Sequence, residues 1–282
     1  MSSTTPYLAE KTKRIRNSAQ TRMAIWKAII PVHRLPVIVK SPFMVALGAY
    51  LSGATFTWQT IGTTMLLSGL LWAVLYPFNE ATDMACEQQR SIPRGTWALF
   101  TTLLTVICTV GWFFSHKIGM LLLAMVASQC LYCAPWFRLK QFWWGNVLFS
   151  GIVNPLLRLG CGVVWGTHGS TSLFYVGFLA LHLGASFRAR LLLRDRDRRL
   201  GYTSVPNWGH PVGVVTTVIG LLSMLGLILQ GELPRIFGLF LGVATLFVSY
   251  AWSGRAKSMQ ELRRGWVLFA VLSAIAILFL RP

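Results

Sequence analysis

Runs of roughly 17–22 apolar residues recur from residue 41 to the end of the chain, each long enough to cross a hydrocarbon core. No other feature constrains the fold as tightly. In lipid every backbone N–H and C=O must find its partner within the protein, which leaves such runs one regular solution, the helix. Nine of them centre on 41–56, 60–78, 96–114, 117–135, 143–165, 172–189, 211–230, 234–252 and 265–280. The expectation is an all-α integral membrane protein with about nine transmembrane helices in one domain, 35–282. A basic segment, 1–34, precedes it. Only 12% of the 282 residues are charged, about half the fraction in a soluble domain.

The net charge of +18 would suggest nucleic acid in a soluble protein, but here its distribution follows the spans. On one side lie 21 basic residues, in the N-terminal segment and after the second, fourth, sixth and eighth runs. The other side has three, Lys117, Arg235 and Arg281. The positive-inside rule makes the N-terminus cytoplasmic and the C-terminus external. Residues 8–30 mix basic side chains with Ile15, Met23, Ile25, Trp26, Ile29 and Ile30. They read as an interfacial helix on anionic lipid, or as a basic tail that enforces orientation. The first 34 residues lack the apolar stretch of a cleaved signal. Of the five cysteines, Cys130 and Cys133 form a C-x-x-C inside an apolar run with no second pair, so packing is the expected role.

Acids are scarce, and their placement is informative. Five of the eight fall in two clusters, Glu80, Asp83 and Glu87 after the second run, and Asp195 and Asp197 after the sixth. Both clusters belong to the basic side. Asn79, Asp83 and Glu87 follow four-residue steps, which puts them on one helix face if the second helix continues. Oxygen ligands so arranged beside a membrane suit Mg²⁺ shared with substrate phosphates; a solvated polar helix end is the bland alternative. In the second cluster Arg190, Arg194 and Arg198 are again four apart, a cationic stripe whose forks match phosphate oxygens. A basic cytoplasmic loop is expected there from topology in any case.

The two clusters resemble the motifs of the UbiA superfamily of intramembrane prenyltransferases. The first family motif, N-D-x-x-D-x-x-x-D with a following R-P-[IL]-P-S-G, is matched by Asn79-Glu-Ala-Thr-Asp83-Met-Ala-Cys-Glu87 and by Arg90-Ser-Ile-Pro-Arg-Gly95. The second, D-x-x-x-D-R-x-x-G-x-x-[TS]-x-P, is matched by Leu193-Arg-Asp-Arg-Asp197-Arg-Arg-Leu-Gly201-Tyr-Thr-Ser204-Val-Pro206. His33-Arg-Leu-Pro36 and the stretch from Tyr132 to Lys140 extend the likeness over nearly the whole chain. Glutamates at 80 and 87 replace aspartates. Leu193 stands where the family has an aspartate, and Asp195 is out of phase to replace it.

The resemblance implies a UbiA-type bundle with a cytoplasmic-side active site and Mg²⁺ as cofactor. The polyprenyl diphosphate would keep its tail in an apolar tunnel. It implies metal ligation by Asn79, Asp83, Glu87 and Asp197, with Asp83 and Asp197 essential to catalysis. Arg34, Lys40, Arg90, Arg138, Lys140, Arg190, Arg194 and Arg198 are candidates for the diphosphate. Tyr132, Trp72 and Phe149 are candidates for the substrate pocket. Most other tryptophans suit interfacial belts. The expected reaction is prenyl transfer to an aromatic or other lipophilic acceptor. The alternative is a membrane terpene cyclase of the same fold, which needs no acceptor. A transporter is disfavoured, because its polar groups would cluster at the bilayer midplane. Arg158 sits within the fifth run, where a charge is costly and functional by default, though snorkelling outward is an equal account. His182 is expected to be hydrogen-bonded inside the bundle.

Overall fold

The computed structural model describes residues 35–87, 91–134, 136–167, 172–233 and 237–253, and every regular element among them is helical. The segment 1–34, the run at 265–280, and the candidates Arg34 and Arg90 lie outside the described residues. The elements are α1 Leu35–Leu51, α2 Thr63–Glu87, α3 Arg94–Phe114, α4 His116–Cys133, α5 Trp143–Leu148 and α6 Asn154–Val163. They continue with α7 Ser172–Leu192, the short α8 Arg194–Arg199, α9 Gly209–Leu229 and α10 Phe237–Trp252. A π turn at Trp58–Gly62 opens α2, and another at Phe149–Val153 joins α5 to α6 into one span. Eight of the nine expected runs thus appear as spans. Six are long and apolar enough to cross a membrane, with α1 and α10 as shorter apolar helices. The chain is a multi-pass integral membrane protein.

Outward faces are apolar where lipid would touch them. Leu99, Leu103, Val106 and Val110 line the exposed face of α3, and Val215, Val218, Leu222 and Leu225 that of α9. Trp58, Trp112, Trp136, Trp144 and Trp208 are exposed near helix ends, as interfacial belts require.

Inside lipid the hydrophobic effect does not bring helices together, so close packing must. Small residues provide it. A Cβ placed on Gly162 of α6 would stand 1.9 Å from the Val45 carbonyl oxygen of α1, and one on Gly48 of α1 would stand 2.2 Å from the Leu159 oxygen. Gly184 and Gly220 bring α7 and α9 together in the same way. Ser41 of α1 bonds Ser68 of α2 at 2.6 Å, which fixes the relative height of these helices.

The π turn has a consequence for the site. Pro155 has no N–H to give the Gly151 carbonyl, and the chain takes a wider turn just before it. Asn146, Ser150, Asn154 and Arg158 all line one cavity. In an uninterrupted α-helix, three four-residue steps would carry such a stripe about 120° around the axis. One inserted residue takes back about 100°, so the four stay aligned.

Candidate active site

At one end of the bundle the C-terminal part of α2 and the segments following α4 and α8 meet. The amide of Thr203 donates to the Gln141 carbonyl at 2.8 Å, and the amide of Trp143 to the Thr203 hydroxyl at 2.9 Å. Arg138, in the left-handed region at φ 47°, donates to the Tyr202 hydroxyl at 3.2 Å. Gly201, at φ 69°, supplies the left-handed turn that ends α8 and returns the chain to this junction.

Two ion pairs sit where the loops join. Lys140 is buried at 3% exposure, and its ammonium donates to Asn79 Oδ1 at 3.2 Å and Thr82 Oγ1 at 2.9 Å. It stands 2.6 Å from Asp83 Oδ1. Asp197 is buried and accepts from Arg190 at 3.3 Å. Asn79, Asp83, Lys140, Arg190 and Asp197, from chain segments far apart in sequence, all border one cavity of about 400 Å³. Burial pushes the Asp197 carboxyl above its ordinary range; Arg190 and Arg196 hold it down, and the charge of Asp83 adds to the rise. The Tyr202 hydroxyl is pushed up to about 12, by burial first and then by Asp83, against the pull of Arg138.

Beyond this polar mouth the cavity has two unlike walls. Phe43, Met44 and Leu47 of α1, Phe174 and Phe178 of α7, Met224 and Ile228 of α9, and Leu241 of α10 make an apolar side. Trp72 and Tyr76 of α2, Gln129 and Tyr132 of α4, and the stripe ending in Arg158 make a polar one. Side-chain amides knit that wall together: Asn154 Oδ1 accepts from Ser128 at 3.1 Å and from Gln129 at 3.2 Å.

Several sequence expectations change. The four-residue stripe of arginines does not face the cavity as a unit. Each step overshoots a turn by about 40°, so Arg190, Leu193 and Asp197 keep to the cavity face while Arg194 and Arg198 rotate away. Arg194 donates instead to the Val205 carbonyl and Asn207 Oδ1, and Arg198 is exposed. Arg196, not singled out beforehand, borders the cavity, and Asp195 is exposed. Phe149 packs behind Tyr132, ring centroids 5.7 Å apart, rather than lining the space. Arg158 does not snorkel. It is 3% exposed, its guanidinium lies 3.5 Å from the Trp72 ring centroid, and Nη2 reaches Tyr76 Oη at 3.4 Å. Lys40 borders the cavity, and its neighbour Ser41 is level with Ser68 in the first third of α2, far from Asp83. His182 Nδ1 meets the Phe178 carbonyl at 2.9 Å, and its ring also borders the cavity. The side chain of Glu87 lies outside the described residues. Tyr76, Asn146, Asn154 and Tyr202 carried no signal in the sequence, being ordinary polar residues within apolar or loop segments.

The architecture has known counterparts. A UbiA homologue from Archaeoglobus fulgidus bound to Cd²⁺ superposes with a TM-score of 0.69 at 13% identity, over 89% of this chain and 97% of that one. A structure of a UbiA homologue from the same organism bound to DMAPP and Mg²⁺ gives 0.68 at 14% identity, over 88% and 96%. The chain has the UbiA fold. No family model and no curated protein matches the sequence. At this identity the UbiA fold is carried by helix order and packing, with few residues in common.

Proposed function

We propose that this chain is an Mg²⁺-dependent intramembrane prenyltransferase that ionises a polyprenyl diphosphate and passes the prenyl group to an aromatic or other lipophilic acceptor. The observation that carries the reading is the meeting of Asn79, Asp83 and Asp197 at the mouth of a largely apolar cavity within a UbiA fold. The neighbour's DMAPP and Mg²⁺ give the substrate class and cofactor by analogy.

The donors fit the metal. Lys140 places a cation on the Asn79 and Asp83 oxygens, so this oxygen set already accommodates positive charge. Among the described residues no three His, Cys, Asp or Glu side chains gather as a closed cage. Mg²⁺ is held by one or two carboxylates together with substrate phosphates, and Asp83 and Asp197 border the cavity mouth. Asn79, Asp83 and Asp197 would hold it, with Glu87 as a further ligand. Bound there, it would neutralise charge developing on the diphosphate.

The chain's own groups do the rest. Lys140 and Arg190, with Arg138 and Arg196 near the mouth, would bind phosphate oxygens and stabilise the departing diphosphate. The allylic C–O bond breaks with its electron pair going to diphosphate. The prenyl cation lies against the apolar wall, away from water. The acceptor gives an electron pair to form the new bond and releases a proton. Transfer is favoured over cyclisation by the guanidinium of Arg158, which would oppose a cation migrating down the cavity. In the proposed orientation the mouth faces the cytoplasm, with the basic segment 1–34 on the same side.

The test is incubation of purified protein with Mg²⁺ and geranyl, farnesyl or geranylgeranyl diphosphate, with and without aromatic acceptors, and mass spectrometry of products. A prenylated acceptor is expected. A cyclic terpene formed equally without acceptor would establish the cyclase, and no diphosphate release with any donor would refute both.

A further inference from the structure

An ammonium has three N–H donors and no acceptor. All three of those on Lys140 are engaged by one turn of α2: Asn79 Oδ1 at 3.2 Å, Thr82 Oγ1 at 2.9 Å and Asp83 Oδ1 at 2.6 Å. Steps of three and four residues bring these oxygens to one helix face, so a single point charge reaches all of them. The ammonium also decides which way the Asn79 amide points. Only its oxygen end can accept a hydrogen bond, and the oxygen end is the one a hard metal ion would need.

The base of this lysine is fixed from behind. Asn146, 3% exposed, donates through Nδ2 to the Lys140 carbonyl, and its Oδ1 accepts from the Tyr132 hydroxyl at 2.5 Å. The backbone is held there while the four-carbon stem remains a flexible tether. Two of the oxygens around the ammonium, those of Asn79 and Asp83, are the ones proposed above as metal ligands. A metal ion on the same carboxylate would put two cations on one anion, and like charges so close repel strongly in a part-buried site. The facing pair is looser. Arg190 meets Asp197 at 3.3 Å, long for a charge-assisted bond, and Nη1 divides itself between both carboxylate oxygens.

We propose that Lys140 is a tethered placeholder for the metal: its ammonium assembles the Asn79 and Asp83 oxygens, excludes a metal ion arriving alone, and yields to one arriving with a diphosphate. The diphosphate resolves the conflict because it supplies oxygens to both cations, ligands for the metal and new acceptors for the ammonium at the end of its tether. Lys140 thereby makes the site selective for the metal–diphosphate pair over the free ion. The inference rests on the metal ligation proposed above and not on the reaction that follows it.

The test reads metal occupancy rather than turnover. Mn²⁺, which takes the same oxygen ligands as Mg²⁺, is measured by equilibrium dialysis against the protein in lipid nanodiscs. The measurement is made with and without farnesyl S-thiolodiphosphate, an unreactive diphosphate. Without the analogue, Lys140→Met should bind Mn²⁺ at least about tenfold more tightly than the wild type, the scale on which one neighbouring like charge shifts an ionisation. Asp83→Asn in the Lys140→Met protein should erase that gain. With the analogue, the wild type should take up Mn²⁺ and the gap between the two should close. Equal affinities of wild type and Lys140→Met for Mn²⁺ alone would overturn the proposal, as would a gain that survives Asp83→Asn. Lys140→Gln, which keeps a donor for Asn79 and Thr82 without the charge, repeats the comparison should the methionine variant fail to fold. The wild type is a check by itself, since Mn²⁺ bound as tightly alone as with the analogue would also overturn the placeholder. The expected metal binding in a protein that releases no diphosphate from any prenyl donor would support the placeholder while refuting the transferase. Transfer activity in a protein whose Mn²⁺ affinity ignores Lys140 would do the reverse.

Discussion

Asp83→Asn puts the junction at the mouth under its sharpest strain, because the partner it abandons is buried. Lys140 is 3% exposed, whereas the Asp83 side chain retains 17%. At 2.6 Å their gross attraction is about 6 kcal/mol for an effective dielectric constant of about 20. Much of that only offsets the desolvation of the two groups. The removal is asymmetric. Asparagine leaves a buried ammonium with Asn79 and Thr82 as neutral acceptors, a loss of about 3–5 kcal/mol. Lys140→Met leaves a carboxylate that still reaches water at the cavity mouth, and should cost less, about 1–2 kcal/mol. The double variant removes both charges together. It should be less destabilised than the sum of the singles by about 2 kcal/mol, the coupling of groups in direct contact. The assay is unfolding of all four proteins in one detergent, followed by intrinsic fluorescence, with diphosphate release measured in parallel. Asp83→Asn should also abolish turnover. Additivity of the two substitutions within about 0.5 kcal/mol would refute the buried pair. Near-normal turnover of Asp83→Asn would remove Asp83 from the metal site.

Other expectations follow from separate features. Because burial raises the Asp197 carboxyl, diphosphate release should fall on the acid side at a pH above the ordinary aspartate range, where the ionised form is lost. Arg190→Gln should move that limb to higher pH, since the arginine favours the carboxylate; a limb unchanged in the variant would count against the pairing. Gly162→Ala should lower the unfolding midpoint by driving α1 and α6 apart, while Gly95→Ala, where a Cβ meets nothing within 4 Å, should not; equal midpoints would refute the close approach. A reporter fused after Pro282 should be exported and one at the N-terminus retained, and the reverse pattern would invert the proposed orientation.

The spans and the two acidic clusters were legible because each is a one-dimensional signal. Apolar length marks a crossing, and a carboxylate in a chain this poor in acids stands out. Lys140 stood among the sequence's candidates for a diphosphate, but not as the partner of Asp83, since nothing in sequence spacing relates the loop after α4 to the end of α2. The arginine stripe misled because four-residue spacing is close to a helical turn without equalling it, and the error accumulates with each step. Arg158 was misjudged for the converse reason. The π turn at Phe149–Val153 re-phases the helix and turns inward a residue that uniform counting leaves near the outer end. The depth of Lys40 depends on how far α1 slides along α2, which the Ser41–Ser68 contact and the α1–α6 glycines decide.

The cavity's polar mouth and the apolar outward faces of the helices around it bear on the direction of the proposed reaction. In the proposed reaction a diphosphate set free at the mouth would depart into water, whereas a prenylated product would partition into the bilayer. The two products would enter different phases, and reversal would require both to return from separate solvents to one pocket. Partition would then keep the reaction moving forward, with no latch or lid needed to retain what has been made.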